Sequence, residues 1–494
     1  MDLLSFGANF GFRTGNPACC FLLLCASSLC LSQTQNVQNA QNPNFFFNYP
    51  VEYYPPVLSA RRPNLEEQRP KENVQPQQLQ QRLQPQEPQE SSIFFPAEYN
   101  VNNRQSVPPP PVQTSGAMQF AWRMLQSVVL PQQENTAICP ILPQTLLASL
   151  YDAADAGAKA ELRSSLLSSS QELGQLVRNQ IAATQQSGVN KLDQAMAMFL
   201  GADTKISKTI QDNALQDGVE IVHVNFLNRN AAAATANNWV AQKSRGTIRE
   251  IVAPNGLDAS TRLMMASVIY FKGKWKHQFT KTEPGIFETS PMFDKTRSPT
   301  GHQVPMMYMF NKLRYGEKEF QDGNGLRWVE LPYEGSAGLS MILMLPKQRH
   351  QLQRSAEQLK AADMAEIITS LKQLRGSNKM HLYVPKFSLY SSLSLVPALK
   401  SMGLKSIFDR STALTGLSDE QLVVRDVSQR TFVAIDEQGT TATSAASLAF
   451  VALSAAPPPP TINFTVNEPF LLMIVDKTNE YPLFVGKIVK PESN

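Results

Sequence analysis

The side chains that most often do chemistry are few and scattered in this chain. Its five histidines, His223, His277, His302, His350 and His381, share no metal-ligand spacing. Four of its five cysteines, Cys19, Cys20, Cys25 and Cys30, crowd into one apolar run near the start, which leaves Cys139 alone in the remainder. A single thiol makes neither a CxxC redox pair nor a zinc site. No Walker-type phosphate loop, no GxGxxG after a strand and no GxSxG elbow occurs. Serine, histidine and carboxylates are present, as in any large protein, but nothing marks one serine as a nucleophile. The pattern speaks against an enzyme, implies no cofactor and no metal, and leaves partner binding as the default.

The segment Asp436–Phe464 is chemically the most unusual part of the ordered region. From Gln438 to Ala456 it has no charge and no proline, and small or β-branched residues fill its first half. It joins two strand-like runs, Arg430–Ile435 and the stretch from Phe464 onward. Connections this long are usually disordered or functional. Its composition suits a loop able to become a strand. Alternation would turn Thr440, Ala442, Ser444, Ala446, Leu448 and Phe450 to one face. No charge would be buried on that path, and with no proline every amide could join a ladder. A plain flexible linker remains the alternative, although glycine and polar residues would be more usual there.

The elements around this segment read as a mixed domain. Order begins near Gly116. Met118–Leu130 has helical spacing and stops at Pro131, and Leu146–Ala153 continues as a second apolar helix. Arg262–Phe271 and Leu339–Leu345 read as strands, Met380–Val384 alternates up to Pro385, and Leu395–Met402 is helical and ends at Gly403. Phe470–Val475 and Leu483–Val489 read as closing strands. Helices early and strands late point to an α+β domain with large, mostly antiparallel sheets.

The N-terminal quarter is different. Ala18–Leu31 is an apolar run of secretory-signal length, followed at once by glutamine and asparagine. Cleavage near Ser32 is expected, with an uncleaved anchor as the alternative. Residues 33–115 are rich in glutamine, proline and asparagine and cannot bury enough apolar surface to offset ordering entropy. They read as a disordered extension, although Phe45–Phe47, Tyr53-Tyr54 and Phe94-Phe95 could dock a partner. The net charge of +4, from 45 basic and 41 acidic residues, gives no reason to expect nucleic acid. With one thiol left after signal removal, stability must come from a large packed core.

Several motifs in the ordered part, taken in order, resemble the serpin family. Asp436-Glu437-Gln438-Gly439-Thr440 followed by alanines is similar to the hinge of the serpin reactive-centre loop. Asn237-Asn238-Trp239-Val240 resembles the family's helix motif, and Tyr270-Phe271-Lys272-Gly273-Lys274-Trp275 its strand and turn. Val304–Met307, Leu331-Pro332-Tyr333, Pro385-Lys386-Phe387, Met402-Gly403, Pro469-Phe470 and Pro482–Lys487 follow in family order. The resemblance covers about Met118 to Pro491. It implies helices packed on three large, mostly antiparallel sheets with an exposed reactive-centre loop. It also implies a secreted, monomeric inhibitor whose partner is an extracellular serine protease and which needs no membrane after signal cleavage. The loop hinge would be Glu437, Gly439, Thr440, Ala442, Ser444 and Ala446. Family spacing from Glu437 puts the attacked bond between Leu453 and Ser454, which implies a chymotrypsin-like target. A shifted register would expose Phe450 or Val451 instead, and Val451 would suit an elastase-like enzyme.

The chain departs from the family at one polar cluster. The motif Ser-Pro-x-Ser is Cys139-Pro140-Ile141-Leu142, the expected asparagine is Ser267 and the expected histidine is Gln429. Either the cluster has repacked as a unit or sheet opening is impaired, giving a non-inhibitory serpin that binds a ligand or partner. The acceptor sequence Asn463-Phe464-Thr465 falls at the start of a strand, which leads us to expect little or no glycosylation.

Overall fold

The computed structural model describes residues 114–289, 301–335, 338–373, 377–437 and 461–492. The expected signal, residues 33–113 of the expected extension and the segment 438–460 lie outside these, whereas Thr114 and Ser115 are described and Ser115 caps the first helix. Within the described residues the strands are β1 Thr136–Ile138, β2 Lys191–Gly201, β3 Val219–Val224, β4 Leu263–Lys272, β5 Lys281–Glu288, β6 Gly301–Leu313, β7 Tyr315–Glu319 and β8 Gly325–Pro332. They continue with β9 Leu339–Pro346, β10 Asn378–Pro385, β11 Phe387–Ser394, β12 Val424–Ile435, β13 Ile462–Thr465, β14 Phe470–Asp476 and β15 Tyr481–Ile488.

Three sheets form. Six strands run in the order β1-β15-β14-β9-β8-β7, four in the order β13-β10-β6-β5, and five in the order β11-β12-β4-β2-β3. Most neighbours are antiparallel. The exceptions are β10 with β13, β2 with β3, and β4 with β12. The α+β architecture expected from the sequence is present.

The main core lies between the sheets and the N-terminal helices. The helix Gly116–Met124 is capped by the Ser115 hydroxyl, which accepts from the Met118 amide, and runs into a π-turn at Leu125–Val129. The helix that the sequence places at Leu146–Ala153 instead spans Ile141–Ala148. Beyond Ala148 the amides of Leu150, Tyr151 and Ala153 bond three residues back, as in tight turns. The apolar run continues because Leu150 and Ala153 are core residues, although the helix has ended.

A second, smaller core covers the outer face of the five-stranded sheet. The helix Arg229–Lys243 lays Ala232, Ala233, Ala236, Trp239 and Val240 on Ala197, Phe199, Met264, Ala266 and Val268. Its alanines let the helix approach closely, and the Trp239 ring meets Phe199 edge-on at 5.5 Å. Asn237 ties down the returning chain, since its carboxamide oxygen accepts from the amides of Ile251 and Val252. So β4 is buried on both faces. Met264, Ala266 and Val268 face the helix, and Met265, Ile269 and Phe271 face the main core.

Candidate functional site

β4 and β12 are parallel neighbours with about 150 residues of chain between them. Their register runs from Leu263 opposite Val424 to Lys272 opposite Ala434. The segment 438–460 leaves the top of β12 almost at once. That segment therefore begins at one end of the seam between these strands.

Several contacts hold the top of the seam closed. Lys272 Nζ pairs with Asp436 at 2.9 Å, and the Trp275 indole N–H donates to the Asp436 carbonyl at 2.8 Å. Trp275 is held in place by stacking on Tyr333, with ring centroids 4.6 Å apart. Gly273 makes this possible, because a Cβ there would lie 2.3 Å from the Tyr333 ring. Lower down, Tyr270 of β4 and Phe432 of β12 stack across the seam at 5.2 Å and nearly parallel.

Of the predicted hinge residues, Glu437 alone is described. Gly439, Thr440, Ala442, Ser444 and Ala446, and the bond between Leu453 and Ser454, lie outside the described residues. The Glu437 carboxylate accepts from Lys386 Nζ and from the Thr282 hydroxyl, both at 2.7 Å. It is thereby tied to the four-stranded sheet as the chain leaves β12. Burial works against its charge, but the hydrogen bonds from Lys386 and Thr282 outweigh that and hold the carboxyl below its ordinary value. This contribution is therefore complete above the usual glutamate range and is lost only as pH falls through the lowered value.

The altered polar cluster sits beneath the seam and is internally complete. The Gln429 carboxamide oxygen accepts from the Cys139 amide at 2.7 Å and from the Thr431 hydroxyl at 3.2 Å. Its nitrogen donates to the Cys139 carbonyl at 3.0 Å and to Ser267 Oγ at 3.1 Å. Gln429, Cys139, Ser267 and Thr431 are all fully buried. Gln429 thus pairs with the Cys139 backbone as a ladder rung would, and Ser267, its partner in register on β4, completes the group. Both polar atoms of the Gln429 side chain are therefore satisfied within the described residues. The Cys139 thiol takes no part, since burial pushes it up to about 12, where it is inert as a nucleophile.

Three contacts had no counterpart in the sequence reading: the Tyr270–Phe432 stack, the Lys386–Glu437 tether and the anchoring of Arg430. The Arg430 guanidinium donates to the carbonyls of Glu250 and Ile251, pinning the chain that follows the outer helix onto β12. Each joins residues far apart in the chain, so no spacing rule could reveal it.

The family model that matches the chain is Serpin (serine protease inhibitor), over residues 115–491. The chain belongs to the serpin family. It is 30% identical to human neuroserpin over 278 residues, which are 55% of this chain and 64% of that protein, so the match spans under two thirds of it. It is 30% identical to antichymotrypsin-2 of Bombyx mori over 268 residues, 54% of this chain and 68% of that one. The structure of native protease nexin-1 with heparin superposes with a TM-score of 0.66 at 24% identity, covering 76% of this chain and 98% of that one. The serpin fold accounts for the three sheets and for the position of the seam. Among the described residues no helix is long and apolar enough to cross a membrane, and no cluster of metal-ligating side chains occurs.

The cluster yields a direct test within this serpin. Gln429→Leu would keep the volume but leave the Cys139 amide and carbonyl buried without partners. The variant should be destabilised by about 2–4 kcal/mol, read as a lower midpoint in urea or thermal unfolding. An unchanged midpoint would mean that Gln429 does not hold the seam.

Proposed function

We propose that this serpin inhibits an extracellular chymotrypsin-like serine protease by cleavage and insertion of its own reactive segment. The observation that carries the reading is the parallel β4–β12 seam with the segment 438–460 leaving the end of β12. A strand entering between two parallel strands from that end runs antiparallel to both, so it can form two good ladders where one existed before.

The chemistry belongs to the protease. Its serine hydroxyl attacks the Leu453 carbonyl carbon, the bond to Ser454 breaks, the Ser454 nitrogen leaves as an amine carrying the transferred proton, and an acyl ester remains. Residues 438–453 then enter the seam. At ~3.3 Å per residue these sixteen residues reach roughly 50 Å, against about 40 Å for the twelve residues of β12. The tethered protease would therefore be carried to the far end of the sheet. The contacts that resist this are modest. The Asp436 hydrogen bond, the partly exposed Lys272–Asp436 pair and the Tyr270–Phe432 stack are each worth about 1 kcal/mol or less. An additional ladder along the whole of β12 outweighs them once the loop is cut.

Leu453 suits a hydrophobic specificity pocket, and the relationship to a protein named antichymotrypsin-2 is in keeping with such a target. Secretion is part of the same reading: residues 1–32 act as a cleaved signal, supported by the apolar run Ala18–Leu31. Residues 33–115 form an extension outside the inhibitory domain.

Two measurements test this function. Mixing with chymotrypsin should give an SDS-resistant complex, and nicking the loop should raise the unfolding temperature sharply. Absence of both would make the protein a non-inhibitory serpin. Leu453→Arg should move inhibition from chymotrypsin to trypsin. Retained chymotrypsin inhibition, with mass spectrometry placing the cut after Phe450 or Val451, would reject the Leu453 assignment alone.

A further inference from the structure

The only Asn-x-Ser/Thr sequence in the chain, Asn463-Phe464-Thr465, lies in β13, two residues after the segment 438–460. The expectation that a strand would hide this acceptor is half right. The strand is there, but β13 is the edge of the four-stranded sheet, and side chains alternate along it. Phe464 is fully buried in the core, which turns Asn463 outward, exposed to solvent.

What Asn463 faces is unusual. In register it stands opposite His381 of β10, and His381 stands opposite Phe310 of β6. Residues directly opposite one another share a face, so Asn463, His381 and Phe310 form one row across three strands. Phe310 is 50% exposed although it is a large apolar side chain. Its ring lies 4.6 Å from that of His381, and Tyr308 extends the surface by bonding His381 Nδ1 through its hydroxyl at 2.9 Å. Tyr383 adds a fourth ring, 4.9 Å from Tyr308. The backbones of Asn463 and Phe310 are two strand spacings apart, roughly 10 Å, a gap that an asparagine side chain and one pyranose ring bridge. The C–H face of a sugar is apolar enough to lie on such rings, and its hydroxyls remain in water.

We propose that Asn463 carries an N-linked glycan whose first sugars rest on the His381–Phe310 surface. The bond forms between Asn463 Nδ2 and C1 of the sugar. The amide nitrogen loses a proton, and the diphosphate of a lipid-linked oligosaccharide donor leaves from C1. The proposal rests on the secretion reading above, because the donor is found in the secretory pathway.

The full chain is expressed in eukaryotic secretory cells in two forms, one with its own residues 1–32 and one with a heterologous secretory leader in their place. The second form reaches the donor whether or not residues 1–32 act as a signal. Mass spectrometry of the secreted second form should find the peptide containing Asn463 glycosylated, and Asn463→Gln should remove the glycan. Finding that peptide bare would overturn the proposal. Occupancy in the second form with no secretion of the first supports the site and counts against the secretion reading instead. The resting surface is tested by glycan release from the native protein with peptide-N-glycosidase. Release should be several-fold faster in Phe310→Ser, and equal rates would show that the sugars do not lie there.

Discussion

The structure depends on two parallel strands, β4 and β12, that are hydrogen-bonded to each other directly, with no strand between them. Parallel neighbours are usually joined by a crossover of a dozen or more residues. Here about 150 residues separate them, and β12 is followed, after Asp436 and Glu437, by a segment of small, uncharged residues. The pairing satisfies the backbone of both strands yet leaves room, in topology, for one more strand of opposite direction. Each neighbouring feature either steadies this pairing or limits where it can part. The outer helix and Arg430 cover its lower half, the Tyr270–Phe432 stack spans its middle, and Asp436 and Glu437 fasten its top.

Buried polarity beneath the seam is made up of neutral groups. Gln429 forms hydrogen bonds to Cys139, Ser267 and Thr431, all of them between uncharged groups. Neutral hydrogen bonds of this kind add modestly to stability when made and cost more when one partner is left alone. Of the positions that differ from the family pattern, Gln429 and Ser267 are bonded to each other, and Cys139 joins them through its backbone alone. No disulfide supports the described fold, and its one cysteine is a buried thiol. Stability comes instead from two apolar cores that meet on opposite faces of β4.

Much of this was legible in the sequence because it depends on local rules. Gly403 ends a helix at a φ of +105°, whereas Trp239, Gly273 and Trp275 stood out only through the family resemblance. Strands such as β9 and β14 announce themselves as apolar runs because both faces are buried. What local rules could not supply was sidedness and long-range pairing. The apolar stretch Leu146–Ala153 reads as helix because burial, not helical geometry, sets its composition. Asn463 was placed correctly in a strand, but only the sheet order shows that this strand is an edge. Two partners of Gln429, Ser267 and Cys139, lie 162 and 290 residues away, beyond any spacing argument.

The central claim is that the seam opens to admit the chain that follows β12. The crystal structure of the protein after cleavage of its reactive segment measures this directly. The account predicts that β4 and β12 move from one strand spacing, about 4.8 Å, to two, about 9.6 Å. Residues beyond Glu437 should then form an antiparallel strand between them, and Gln429 should no longer stand opposite Ser267 as a neighbour. A cleaved protein in which β4 and β12 remain paired in their present register would contradict it.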